Sequence, residues 1–315
     1  MSLPGFDPRV DLGRGLVLAN PVGVASGTFG FGFEARQLGG VDHLGVIFTK
    51  GTTLRPRLGN MPPRIAETAA GMLNTIGLEN PGVEAVVRDY APLWAAWEVP
   101  VVVNVAGADL PEYVQVVRTL EGVAGVAGIE LNISCPNIAH GLDFGTEPRA
   151  AARCVAAVRE QTALPLVVKL SPNVTDIAAV ARAVEEAGAD AISAVNTYVG
   201  LKVDLQRCRP VLPGAGTAGL SGPAIKPLAL AAVARVRRAV QVPVIGIGGI
   251  ASAEDALDYL VAGADAVQVG TANFYHPGVG REVVEGCLAY AARRGLQSWS
   301  QLRWDGLEPA NGGGA

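Results

Sequence analysis

The segment Asn132-Ile-Ser-Cys-Pro-Asn137 sets an amide three residues ahead of a thiol and fixes that thiol with a proline. Cys135 has two readings, an inert buried thiol or a reactive one, and the local sequence leaves both open. As a base it would need nearby cations or N–H donors, because a free thiol has a pKa near ~8.5. The chain has four lysines, Lys50, Lys169, Lys202 and Lys226, and the first two each close an apolar run. A cation there can offset developing negative charge, and Lys169 could instead form a Schiff base. Two glycine clusters, Gly246-Ile-Gly-Gly-Ile-Ala251 and Gly270-Thr271, offer bare backbone N–H groups of the kind that cradle a phosphate. The first also matches the dinucleotide fingerprint, with Asp265 downstream. That fingerprint normally opens its domain, whereas this one comes late in the chain, so phosphate is the preferred ligand. Asn74-Thr-Ile-Gly-Leu-Glu-Asn80 and Gly219-Leu-Ser-Gly-Pro-Ala-Ile-Lys226 add amides and hydroxyls.

Positioning such groups on one face requires a repeating element. Eight short apolar runs end at Ser26-Gly27, Lys50-Gly51, Asn104, Asn132, Lys169, Asn196, Gly248-Gly249 and Gly270-Thr271, and most are followed by a helix-patterned stretch. That rhythm predicts a (β/α)8 TIM barrel, whose chemistry sits at the C-terminal ends of the strands. The expected strands are 22–26, 44–50, 101–104, 128–132, 166–170, 191–195, 244–248 and 266–270. A hairpin over 10–18, turning at Gly13-Arg14-Gly15, should plug the N-terminal end of the bore. Helices should start near Asp109-Leu110-Pro111 and at Thr175-Asp176, the latter stopping at Gly188, and a last helix should run over 280–294. The Gly219–Lys226 run should open the sixth helix, with Pro223 near its first turn. Gly-Ala-Asp occurs at 188–190 and 263–265, each time closing a helix and entering a strand. Side chains alternate along a strand, so Lys50, Asn104, Asn132 and Lys169 should crown the bore above apolar layers. Glu130 shares that inward face and has no partner that the sequence names. The connections 52–82 and 196–221 are too long for simple loops and should carry their own strands or fold over the site.

Composition bounds the rest. Charged residues make up 17% of the 315 residues, against a usual ~25%, and the mean hydropathy is +0.31. A large apolar surface must therefore be buried. The expectation is one domain over residues 1–310 with a disordered glycine-rich tail, Asn311–Ala315. No apolar run reaches a membrane span of ~18 residues, and the opening residues lack a signal peptide's apolar core, so a soluble, cytoplasmic protein is expected. The net charge is −4 and there is no Lys/Arg block, which argues against a nucleic-acid partner. Cys135, Cys154, Cys208 and Cys287 are widely spaced, and His43, His140 and His276 read as loop or surface residues. No metal site is expected.

Asn132–Asn137 followed by Phe144-Gly145-Thr146, Thr49-Lys-Gly-Thr-Thr53, Asn74–Asn80, Asn196-Thr197, Gly219–Lys226 and Gly246–Ile250 resemble the dihydroorotate dehydrogenases in order and spacing. The resemblance runs from about Val10 to Arg294. Cys135 is similar to class 1, and Phe-Gly-Thr with Gly-Leu-Ser-Gly-Pro-Ala-Ile-Lys-Pro is similar to class 1B. The resemblance implies oxidation of (S)-dihydroorotate to orotate on FMN in pyrimidine synthesis. It also implies a partner subunit carrying FAD and a [2Fe–2S] cluster, NAD⁺ as final acceptor, and a homodimer core within a heterotetramer.

By the same resemblance Cys135 is the base that removes the C5 proton. Lys169 faces the N1/O2 edge of the flavin, where two unit charges ~4 Å apart interact by about 4 kcal/mol at an effective dielectric of ~20. Lys50 touches flavin and substrate. Asn74, Thr75, Ile76, Gly77, Leu78, Asn132, Asn196 and Thr197 hold the substrate. Ser26, Gly51, Asn104, Asn132 and Val195 line the flavin, and Gly222, Gly248, Gly249, Gly270 and Thr271 take its ribityl and phosphate end. The rivals are a fumarate-dependent class 1A enzyme and a non-flavin phosphate-binding aldolase or isomerase using Lys169. A flavin-dependent tRNA dihydrouridine synthase would need a basic face and an RNA-binding domain, and the sequence has neither.

Overall fold

A computed structural model describes residues 5–133, 144–213 and 216–307. Its strands, in chain order, begin with β1 (Val10–Asp11), β2 (Val17–Leu18), β3 (Val22–Val24), β4 (Val46–Phe48), β5 (Ile65–Thr68), β6 (Gly71–Asn74), β7 (Val101–Val105) and β8 (Gly128–Asn132). They continue with β9 (Leu166–Leu170), β10 (Ala191–Ala194), β11 (Tyr198–Gly200), β12 (Val203–Asp204), β13 (Arg209–Pro210), β14 (Ala218–Ser221), β15 (Val244–Ile247) and β16 (Ala266–Val269). Eight close into a parallel barrel in the order β3-β4-β7-β8-β9-β10-β15-β16, the TIM-barrel architecture expected from the eight runs. Several strands stop one to three residues before the polar ends read from sequence. There the backbone leaves the ladder to serve loops, as where the Lys50 N–H donates to Gly30 O at 2.8 Å.

The β1–β2 hairpin seats against the N-terminal end of the barrel. Leu12 and Leu18 are fully buried, and Arg14 donates to the Asp190 carboxylate at 2.9 Å just ahead of β10. Both Gly-Ala-Asp turns are built alike. Asp190 accepts from the Leu166 N–H at 2.9 Å and from Arg159 at 2.8 Å, and Asp265 accepts from the Val244 N–H at 2.8 Å and from Arg237 at 3.5 Å. Each arginine also holds two carbonyls of the loop that follows it, Thr162 and Leu164 for Arg159 and Val240 and Val242 for Arg237. Each lies six residues before a proline that enters a strand, Pro165 and Pro243. These clips stitch two pairs of neighbouring strands at their N-terminal ends.

The helices follow their caps. Asp109 and Asp176 accept from first-turn N–H groups of Leu110–Leu120 and Ile177–Glu186, which fixes the start of each helix. The last long helix is Val279–Arg294. No helix among the described residues is long and apolar enough to cross a membrane.

The two long connections form one structure. The β5–β6 hairpin from the first and β11 and β14 from the second make a four-stranded antiparallel sheet, β11-β14-β6-β5. Its small core is Ala66, Leu73 and Leu212. One expectation fails here: Gly219–Ser221 does not open a helix. Pairing of β14 with β6, Gly219 opposite Asn74, draws those residues into the sheet. The helix Lys226–Ala239 starts only after a short turn at Pro223–Ile225.

Candidate active site

The C-terminal end of the bore is organised around Glu130, which is fully buried. Asn104 Nδ2 of β7 donates to its Oε2 at 2.6 Å. Ser193 Oγ of β10 and Gln268 Nε2 of β16 donate to its Oε1 at 2.8 and 2.9 Å. Strands β8 and β16 lie opposite each other in the barrel order, so the Gln268 bond spans the bore. Lys169 Nζ of β9 stands 3.7 Å from Glu130 Oε2 and donates to Ser26 Oγ at 3.0 Å. Four donors thus surround the carboxylate that the sequence left without a partner. Asn104 Oδ1 is buried and has no hydrogen-bond partner among the described residues. It lies 3.2 Å from where a Cβ on Gly51 would stand, and Leu78 Cδ2 lies 3.3 Å from that same point.

A second group gathers where the cover sheet meets the barrel. Asn196 Nδ2 donates to Asn132 Oδ1 at 3.2 Å, and Asn74 Nδ2 donates to the Gly219 carbonyl at 3.3 Å. A Cβ on Gly219 would stand 2.4 Å from Thr197 Oγ1, so Asn74 and Thr197 flank one point. Asn60 ties the 75–77 turn through Thr75 O, Thr75 Oγ1 and Ile76 O. Leu78 takes a left-handed φ of 56°. Lys50 Nζ lies 3.8 Å from Glu79, whose carboxylate Arg64 also grips at 2.6 Å.

A third group lies at the ends of β14, β15 and β16. Gly249 has a φ of +70°, and a Cβ on it would stand 2.7 Å from Lys226 Cβ and 2.9 Å from the Gly222 carbonyl oxygen. Gly222 abuts Thr271, whose hydroxyl donates to Ser221 Oγ at 2.8 Å. Only glycine leaves room there for backbone to approach a ligand. Gly248 packs on Ala229, and Gly270 lies beside Ala25. Val195 is buried, its N–H on Ile247 O at 3.1 Å. The ammonium of Lys226 is held by Asp255 and Asp258, so the cradle offers neutral N–H groups at a strand-to-helix junction.

Cys135, its proline and Asn137 lie outside the described residues, as do His140 and the Asn311–Ala315 tail. The flanks of that cysteine segment are both held by Tyr113. Its hydroxyl donates to Asn132 O at 2.7 Å, and its ring meets Phe144 edge-on at 6.1 Å. Burial pushes the Cys154 and Cys287 thiols up to about 12, which keeps them protonated and inert. Cys208 is exposed. His276 is an exposed side chain paired with Glu282, whereas His43 is half-buried, and that burial lowers its pKa. No group of three metal-ligating side chains occurs among the described residues. Sequence reasoning missed Ser193 and Gln268. Their signal was a polar residue in mid-strand within the apolar runs 191–195 and 266–270.

The family described as dihydroorotate dehydrogenase matches residues 13–288. The chain belongs to that family. It is 51% identical to a protein of Trichlorobacter lovleyi over 294 residues, covering 93% of this chain and 96% of the relative. It is 50% identical to proteins of Desulforudis audaxviator and Geobacter sulfurreducens, each over 289 residues, 91% of this chain and 94% of the relative. All three carry the name dihydroorotate dehydrogenase B (NAD(+)), catalytic subunit. Membership places the chain among oxidoreductases and sets aside the aldolase or isomerase reading of Lys169.

Proposed function

We propose that this chain oxidises (S)-dihydroorotate to orotate on FMN, as the catalytic subunit of a class 1B enzyme of pyrimidine synthesis in the cytoplasm. The supporting observation is the convergence on one barrel end of a glycine cradle, a buried lysine and an amide oxygen without a partner among the described residues. The residues fit FMN. The Gly249–Gly222 approach suits its phosphate, Asn104 Oδ1 can accept a ring N–H, and Lys169 supplies a cation for the N1/O2 edge. When bound, FMN supplies the acceptor for the hydride that leaves C6 of the substrate.

The protein's own groups do the rest. Cys135 takes the C5 proton, so that loss of a proton and a hydride leaves orotate. Asn132 and Asn196, hydrogen-bonded to each other, would hold the substrate together with Asn74 and Thr197. Thr75, Ile76, Gly77 and Leu78 hold the rim above Gly51, and Lys50 reaches both substrate and cofactor. Ser26 steadies Lys169, and Val195 would line the flavin. Gly248, Gly270 and Thr271 complete the phosphate end.

Electrons leave through a partner subunit carrying FAD and a [2Fe–2S] cluster, in an assembly of two copies of each chain, with NAD⁺ as acceptor. The test is anaerobic addition of dihydroorotate to the purified chain. A yellow protein should bleach, reduce NAD⁺ very slowly alone, and reduce it rapidly once the partner is added. A colourless protein, or rapid NAD⁺ reduction by this chain alone, would overturn the reading. Rapid fumarate reduction would move it to the class 1A type.

A further inference from the structure

Glu130 touches nothing outside the protein, yet two of its neighbours face the site. Every group around its carboxylate is a donor: the amides of Asn104 and Gln268, the Ser193 hydroxyl and, at 3.7 Å, the Lys169 ammonium. An ionised carboxylate accepts only, so this donor set matches the charged form. Asn104 spends its NH2 on Glu130, and its Oδ1, buried and without a partner among the described residues, is thereby turned the other way, towards Gly51 and Leu78. A buried charge is tolerated only when paired and hydrogen-bonded, and Lys169, 4% exposed, has Glu130 as its nearby anion.

We propose that Glu130 is a positioning residue for the redox reaction. It fixes which end of the Asn104 amide meets the cofactor, and its charge, beside that of Lys169, lowers the preference of the site for reduced over oxidised FMN. This rests on the FMN reading of the site. The two roles separate by substitution. Glu130→Gln removes the charge but keeps an oxygen for Asn104. Glu130→Asp keeps the charge but withdraws it by about 1.5 Å, one carbon–carbon bond, so Asn104 loses its tether.

The measurements are the dissociation constant of oxidised FMN from the full chain and the midpoint potential of the bound flavin, set against a reference dye under anaerobic conditions. With Glu130→Gln, oxidised FMN should bind within about threefold of the parent. The ratio of reduced to oxidised affinity should rise about tenfold, about 30 mV upward for a two-electron couple. With Glu130→Asp the ratio should stay near the parent value while oxidised FMN binds about tenfold more weakly. A carboxylate that only holds the strand tops together would lower Tm in both variants and move neither quantity, and that result overturns the proposal. Should the glutamine variant not fold, the aspartate variant decides: unchanged FMN affinity overturns the positioning role. Failure of the parent chain to bind FMN would sink the cofactor reading instead, a distinct outcome.

Discussion

The barrel holds carboxylates at its N-terminal strand entries and within the bore, and the two places partner them differently. At the N-terminal end Asp190 and Asp265 are gripped by arginines and by a strand N–H. The guanidinium fork bonds a carboxylate and two carbonyls at once, so the clips leave little unspent. Burial lowers the pKa of Arg159 and Arg237, yet a guanidinium keeps its proton in proteins, and the clip survives burial. At the C-terminal end Glu130 is held by neutral donors and a lysine. Those partners leave Asn104 Oδ1 and the glycine cradle free for a ligand. All four lysines lie on this side: Lys50 and Lys169 at strand ends, Lys202 on the Glu67 carbonyl of the cover sheet, and Lys226 beside Gly249. At one end the carboxylates are gripped by arginines and strand N–H groups, and at the other the amide that holds the carboxylate keeps an oxygen without a partner among the described residues.

That contrast can be broken in either direction. The largest effect belongs to Cys135→Ala, which should slow flavin reduction by dihydroorotate roughly 10²–10⁴-fold, the share of a general base, with FMN retained. Stopped-flow bleaching checks it, and near-normal reduction would remove Cys135 from the mechanism. Gly249→Asp should give a folded, largely colourless protein, with FMN at least about 100-fold weaker (~2.7 kcal/mol). Circular dichroism and flavin stoichiometry decide, and full FMN content would place the phosphate elsewhere.

At the other end, Asp190→Ala strips an N–H and two arginines of their acceptor and should cost about 2 kcal/mol. That is a fall in Tm of roughly 4–8 °C for a large domain, with FMN affinity unchanged. A change in that affinity would mean that the two ends are coupled. The smallest effect tests whether position alone decides. Asp176 caps a helix on the site side of the barrel, accepting from Ala178 and Ala179. Asp176→Ala should cost about 1 kcal/mol in thermal melts and leave flavin reduction alone.

Much of this contrast was legible in the residues. Strand ends announce themselves where an apolar run meets a residue that cannot be buried unpaired, as at Lys50, Asn104 and Lys169. The Gly-Ala-Asp repeat marked both N-terminal clips because Gly188 and Gly263 take φ of 105° and 98°, a local demand. Partners across space left no such mark. Arg159 and Arg237 lie in ordinary helical sequence, and Gln268 reaches Glu130 across a separation of 138 residues. The partners of Lys226, Asp255 and Asp258, lie on the next helix and left no mark in the 219–226 run either. The β14 strand was read as a helix start because its partner, β6, is distant in sequence.

The cover sheet also sets a timetable for the chain as it is made. The contact between Asn74 and Gly219 spans 145 residues, so the β5–β6 hairpin emerges from the ribosome long before β14 exists. A lone two-stranded hairpin is marginal in water, and the free edge of β6 is an open template for stray pairing. A nascent chain halted before residue 218 would hold most of its barrel strands with the lid unclosed. Translation must pass β14 before the cover sheet of the barrel can exist.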